Sequence, residues 1–279
     1  MRAFPTTIAT LVLFYASSLA GAADITFHKT LKAASGGNVA LHVCTSSGLI
    51  HVHGEDGNAI QISATIHKSK WHDIGDTGDM KKIAANPPIH QTGNAIQVGD
   101  SDTCDGHVYQ NIDIDYEIGV PNTANVIAIS KSGNIQVETV RGFVHAGTAS
   151  GNIVTNGIGS DSKAKSADSG DARMQTSSGN ITATGVRGGV EARTNSGNLT
   201  IGGLPTADWT METSSGNVQF QPDPTAKFSL DVEGGSGKVS SKLSGPVSDE
   251  SSKGVLRGPV NGGGPVVKIY SVSGNIDVQ

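Results

Sequence analysis

The stretch Val190-Glu191-Ala192-Arg193-Thr194-Asn195-Ser196-Gly197-Asn198-Leu199 decides the fold, because its pattern returns along the second half of the chain. The recurring element is Ser-Gly-Asn followed by an aliphatic residue. It stands at Ser132-Gly133-Asn134-Ile135, Ser150-Gly151-Asn152-Ile153, Ser178-Gly179-Asn180-Ile181, Ser196-Gly197-Asn198-Leu199, Ser215-Gly216-Asn217-Val218 and Ser273-Gly274-Asn275-Ile276. A seventh copy, Ser236-Gly237-Lys238-Val239, carries Lys in place of Asn. The undisturbed intervals between the glycines are 18, 18, 19 and 21 residues. A period near 20 with a fixed turn marks a stack of repeats, each burying its apolar side on its neighbours.

Alignment on the serine brings out columns two residues apart. Val126, Val144, Ala172, Val190, Trp209, Leu230 and Val267 lie six before it, and Ala128, Ala146, Met174, Ala192, Met211, Val232 and Ile269 four before it. The aliphatic residue after the turn forms a third column. This is period-2 strand patterning with one face buried, which leaves His145, Glu191, Arg193 and Glu212 on the wet face. Ser-Gly-Asn suits a turn, since Gly and Asn tolerate positive φ, and stacked asparagines can form a hydrogen-bonded ladder. A second turn falls at Gly142, Gly170 and Gly188. The expectation is an all-β, single-stranded β-helix or solenoid of about seven rungs of 18–20 residues, a rod roughly 30 to 35 Å long. The solenoid would span 122–279, with polar excursions at 157–168 and 244–264.

Residues 1–22 read as a secretory signal: Arg2, an apolar stretch from Ile8 to Leu19, and the small residues Ala20-Gly21-Ala22 before cleavage. The apolar run is too short for a membrane anchor. A periplasmic or secreted protein follows, not integral to the membrane once cleaved. Gly is 37 of 279 residues, aromatics are 4%, and 25 acids outnumber 20 Lys and Arg. That composition suits a thin β architecture and argues against nucleic acid, which needs a basic surface. In an exported chain Cys44 and Cys104 are expected to form a disulfide, worth roughly 4 kcal/mol for a loop of about 60 residues. A reactive or metal-bound thiol is the rival reading.

Residues 23–121 form a less regular β-rich region. Leu41, Val43, Ser47-Gly48, Ile50 and Val52 fit the later columns as a degenerate rung, with Leu49 where Asn should be. A short helix is expected near 76–85, ended by Pro87-Pro88. Tyr109 to Val120 alternates strictly and should cover the first rung. The chain's closing strand, Asn275 to Val278, is expected to lie at an open end, covered by the 244–264 excursion or by a second copy.

Val43-Cys44-Thr45-Ser46-Ser47-Gly48-Leu49-Ile50-His51-Val52, Asp115-Tyr116-Glu117-Ile118-Gly119-Val120-Pro121, the Ser-Gly-Asn rungs and Gly262-Gly263-Gly264 resemble the DUF4097 family of exported bacterial proteins, grouped as adhesin-like. The resemblance covers about 30 to 279. It implies a β-helix-like solenoid and brings no catalytic residue with it.

Chemical candidates are sparse. His51 and His53 share a strand face and could chelate a transition metal with a third ligand from His42 or His67; without a closed ligand set they read as exposed side chains. Asp113, Asp115 and Glu117 form a carboxylate row that reads as the wet side of a strand. Gly234 to Lys238 fails as a phosphate loop, because Val239 stands where Ser or Thr is needed. No catalytic, cofactor or metal residue is assigned. The reading is a noncatalytic protein presenting a polar β surface to a glycan, cell-wall component or envelope protein. Envelope-stress sensing is one alternative, and a polysaccharide-acting β-helix enzyme another.

Overall fold

The computed structural model describes residues 24–34, 37–68, 77–99, 104, 112–159, 172–243, 248–250 and 254–279. Residues 1–22, Tyr109, Gly170 and the 160–168 part of the first excursion lie outside them. The chain forms β1 (Ile25–Lys32), β2 (Ala40–Thr45), β3 (Ile50–Glu55), β4 (Ala59–Lys68), α1 (Thr77–Ala85), β5 (Ile89–Thr92), β6 (Ala95–Gly99) and β7 (Ile112–Pro121). Then follow β8 (Asn125–Ser130), β9 (Ile135–Glu138), β10 (Val144–Thr148), β11 (Ile153–Asn156), β12 (Ala172–Ser178), β13 (Ile181–Ser196) and β14 (Leu199–Ser215). The last are β15 (Val218–Pro222), β16 (Phe228–Gly234), β17 (Val239–Ser241), β18 (Ser248–Glu250), β19 (Val255–Val260), β20 (Val266–Ser273) and β21 (Ile276–Val278).

Each rung contributes one strand before the Ser-Gly turn and one after it, so the rungs build two facing stacks. In the leading stack Val126, Val144, Ala172, Val190, Trp209 and Val267 are parallel partners in register. In the trailing stack Ile135, Ile153, Ile181, Leu199, Val218 and Ile276 are partners in the same way. These columns point inward and are 0–4% exposed, whereas His145 and Glu191 are half-buried and Arg193 is exposed. The narrow interior takes mostly Val, Ile and Ala. Trp209, Phe220 and Phe228 fill one section edge-to-face, with centroids 5.7 and 5.6 Å apart. The buried Trp209 Nε1–H donates to the Gly188 carbonyl at 2.7 Å, which removes the cost of an unpaired indole donor.

The degenerate first rung is a full member of the stack. Leu41 pairs with Val126 and Ile50 with Ile135, so β2 and β3 lie directly on β8 and β9. Beyond them β6 covers β2, and β7 covers β3. Gly57-Asn58-Ala59-Ile60-Gln61-Ile62 and Gly93-Asn94-Ala95-Ile96-Gln97-Val98 are nearly the same in sequence but have different surroundings. The first leads into β4, antiparallel to both β1 and β7; the second joins β5 to β6. α1 packs on β1 and β4 with Met80, Ile83 and Ala84 buried.

The turns explain why Ser-Gly-Asn repeats. Each asparagine side-chain oxygen accepts the backbone N–H at the same position of the next rung: Asn134 from Asn152 at 2.9 Å, Asn152 from Asn180 at 2.9 Å, Asn180 from Asn198 at 2.8 Å, and Asn198 from Asn217 at 2.8 Å. The ladder thus runs side chain to backbone. Thr148, Thr176, Thr194, Thr213 and Ser271 donate their hydroxyls to glycine carbonyls of the preceding rung at 3.0–3.2 Å. Glycine is required by proximity more than by φ. A Cβ on Gly151, Gly179, Gly197 or Gly216 would overlap the carbonyl oxygen of the glycine one rung below, and none of these four has left-handed φ.

The expected open end is corrected by the rung order. β20 and β21 insert between the Ser215 rung and the Ser236 rung: β20 lies between β14 and β16, and β21 between β15 and β17. The closing strand is therefore interior and hydrogen-bonded on both sides. The described part of the 244–264 excursion forms β18 and β19; β19 pairs antiparallel onto β16, and β18 pairs antiparallel onto β19. Among the described residues the edges at this end are β17 and β18, each three residues long, too short to template another strand well.

Candidate functional site

Two outward faces result, and they differ in chemistry. On the leading stack Arg173 Nε lies 2.8 Å from Glu191, and Arg193 Nε lies 3.2 Å from both Glu191 and Glu212. These charges neutralise one another across rungs. On the trailing stack Gln136, Val154, Thr182, Thr200 and Gln219 form one outward row in register. This stretch carries amides, hydroxyls and one valine without a charge, and the register continues into Asp277 at one end and into His51 and Glu117 at the other.

At the N-terminal end of the trailing stack, distant residues converge. Parallel pairing sets His51 opposite Glu117 and His53 opposite Gly119. His51 Nδ1 lies 2.8 Å and His53 Nδ1 3.2 Å from the two oxygens of Glu117. His53 Nε2 is 3.0 Å from Glu55, and His51 Nε2 is 3.8 Å from Glu138. Gln61 donates to Glu55 at 3.2 Å, and Gln136 donates to Glu138 at 2.8 Å. Gly119 leaves room for this packing, since a Cβ there would stand 3.0 Å from the Glu55 carboxyl and 3.2 Å from His53 Nε2. A cavity of about 170 Å³ adjoins the group, lined by His28, Lys29, His53, Glu55, Gln61 and Glu117 among others.

The two residues weighed as a third partner for this histidine pair lie elsewhere. His67 sits between Asp24 at 2.9 Å and Asp115 at 3.1 Å. Burial lowers its pKa, but the two carboxylates outweigh that and hold it above the ordinary histidine value. His42 lies in the leading stack, 3.4 Å from the sulfur of Cys44 and 3.5 Å from that of Cys104. Those cysteines are joined in a disulfide, with Cα atoms 5.3 Å apart, so their sulfurs are not thiolate ligands. His145, beside Arg173, has its pKa lowered by burial and then by that guanidinium. The third partner is Glu117, 66 residues from His51. Only the period-2 alternation of Asp113, Asp115 and Glu117 hinted at it, and that gave the face without the neighbour.

The stacked rungs, side-chain ladder and flat polar faces define a surface-presenting β-solenoid. The chain belongs to the Toastrack DUF4097 family, whose model matches residues 22–279. Among solved structures it is similar to a candidate cell adhesion protein from Clostridium sporogenes, at 11% identity and TM-score 0.40, covering 92% of this chain and 99% of that one. A candidate adhesin from Bacteroides fragilis is similar at 11% identity and TM-score 0.37, covering 91% and 97%. A candidate lipid binding protein from Parabacteroides distasonis follows at 9% identity and TM-score 0.29, covering 91% and 97%. At these TM-scores the likenesses carry no functional argument. No curated protein matches the chain significantly. Among the described residues no helix is long and apolar enough to cross a membrane.

Proposed function

We propose that the chain is an exported, noncatalytic binding protein, cleaved after Ala22, whose trailing face takes a hydroxyl-rich partner such as a surface or cell-wall glycan. The observation that carries this reading is the uncharged row Gln136, Val154, Thr182, Thr200 and Gln219, held in register on successive strands. Strands about 4.8 Å apart offer amide and hydroxyl groups at a fixed repeat. Each such contact is weak in water, so a polymer gains affinity by meeting many at once. The charged leading face is already satisfied by its own ion pairs and suits this role less.

Glycan-array and calorimetric binding with the mature protein test the reading. Thr182→Arg with Thr200→Arg should abolish binding of whichever glycan is retained, and Arg173→Gln on the opposite face should leave it intact. Loss with Arg173→Gln alone, or no glycan retained, overturns it.

A further inference from the structure

We infer that His51, His53 and Glu117 form a binding site for a zinc-like transition-metal dication, beside Gln136 at one end of the glycan-facing row. Residues two apart on a strand face the same way, so β3 presents both imidazoles together, and the β3–β7 register sets the Glu117 carboxylate opposite them. The ligand atoms of the three residues lie within 4.8 Å of one another. The Nδ1-to-carboxylate separations are 2.8 and 3.2 Å. Donors of a tetrahedral zinc ion with bonds near 2.0–2.2 Å stand about 3.3–3.6 Å apart, so side-chain rotation that widens these separations slightly closes the site.

The surroundings are those a metal-binding histidine pair needs. With both Nδ1 atoms turned to the ion, His53 Nε2–H faces Glu55 at 3.0 Å, while His51 Nε2 is directed at Glu138 from 3.8 Å, beyond hydrogen-bond reach. Gln61 and Gln136 hold those carboxylates in turn. A carboxylate behind the imidazole fixes its tautomer and raises its basicity as a ligand. The second observation concerns unmet bonding capacity. His53 Nδ1 and His51 Nε2 are buried ring nitrogens without a hydrogen-bond partner, a state that costs free energy. A cation at the Glu117 carboxylate occupies the first and leaves the second directed at Glu138. Imidazole and carboxylate donors favour Zn2+, Cu2+ or Ni2+ over Ca2+ or Mg2+. Glu117 is half exposed, so water or a donor from a bound partner completes the shell.

Calorimetric titration of the metal-free mature protein with Zn2+, and visible absorption with Co2+, test this. One ion per chain is expected. His53→Ala and Glu117→Gln should each weaken binding by at least about tenfold, while His67→Ala, which alters a histidine held by Asp24 and Asp115 outside the group, should change it less than about twofold. Nitrogen NMR should place zinc on Nδ1 of His51 and His53. If His53→Ala melts early, the half-exposed Glu117→Gln carries the test. Absence of saturable one-to-one binding, unchanged affinity in Glu117→Gln, or equal loss in His67→Ala overturns the proposal.

Discussion

The backbone N–H of Asn275 donates to the side-chain oxygen of Asn217 at 2.9 Å, and the side-chain oxygen of Asn275 accepts from the N–H of Lys238 at 3.0 Å. The ladder therefore passes from the Ser215 rung to the chain's last rung, and only then back to the Ser236 rung. Lys238 closes it. A terminal member must donate its backbone N–H but need not supply an acceptor, so this one rung can dispense with asparagine.

Asn217→Ala should cost about 1 kcal/mol, the net value of one hydrogen bond left unmade. Lys238→Asn should be neutral within about 0.5 kcal/mol, as surface changes usually are. Urea denaturation of the two variants checks this; equal losses would contradict the closing role of Lys238.

Removing residues 266–279 should do more damage than trimming an end. It deletes an interior rung and strips β14, β15, β16 and β17 of partners at once. The truncated protein should melt at much lower temperature and associate through the exposed edges in light scattering. A stable monomer would argue against the inserted rung.

Gly197→Ala should destabilise by about 1–3 kcal/mol through overpacking, since its Cβ overlaps the Gly179 carbonyl. Gly93→Ala meets open space at φ +63, so only the backbone strain remains, about 1 kcal/mol. Thermal melts that rank the two the other way would place the tight contact elsewhere.

Ile181→Asp buries an unpaired carboxylate at a position that is 0% exposed, and should cost several kcal/mol or unfold the protein. Glu191→Ala loses two partly exposed ion pairs, worth together on the order of 1 kcal/mol or less. Chemical denaturation should separate the two clearly.

His67 has its pKa raised in the folded protein. Its charged form therefore contributes stability below the unfolded value, about 6.5, and that contribution is lost as pH rises through the higher folded value. The melting temperature of His67→Gln should fall below that of the parent at about pH 5.5 and converge with it at about pH 9. The gap should be small, because the side chain is still 31% exposed and its ion pairs are screened by solvent. His145 goes the opposite way: its depressed value means that histidine NMR should show it titrating below the ordinary range.

The buried columns and the turn were legible in the sequence because both are local. A strand must alternate, and a glycine meeting another carbonyl at every rung must recur at the rung period. Even the degenerate rung at Ser47 could be placed, since Leu41, Val43, Ile50 and Val52 keep the spacing. The role of glycine differed from expectation. Close carbonyl approach accounts for Gly151, Gly179, Gly197 and Gly216, and at Gly48 and Gly274 it acts together with a positive φ.

The sequence by itself determined the repeat, the inward and outward sides of each strand, and the β class. Tertiary structure alone decided which rung lies on which, because every Ser-Gly-Asn turn offers the same donor and acceptor, so local pattern cannot rank the possible neighbours. The β18–β19 pair settles the order by covering β16, which leaves the final rung its place beside β14. The meeting of His51 and His53 with Glu117 is of the same kind. Alternation fixed the face each side chain takes, but only the register of β3 on β7 could bring residues so far apart in the chain within 2.8 and 3.2 Å.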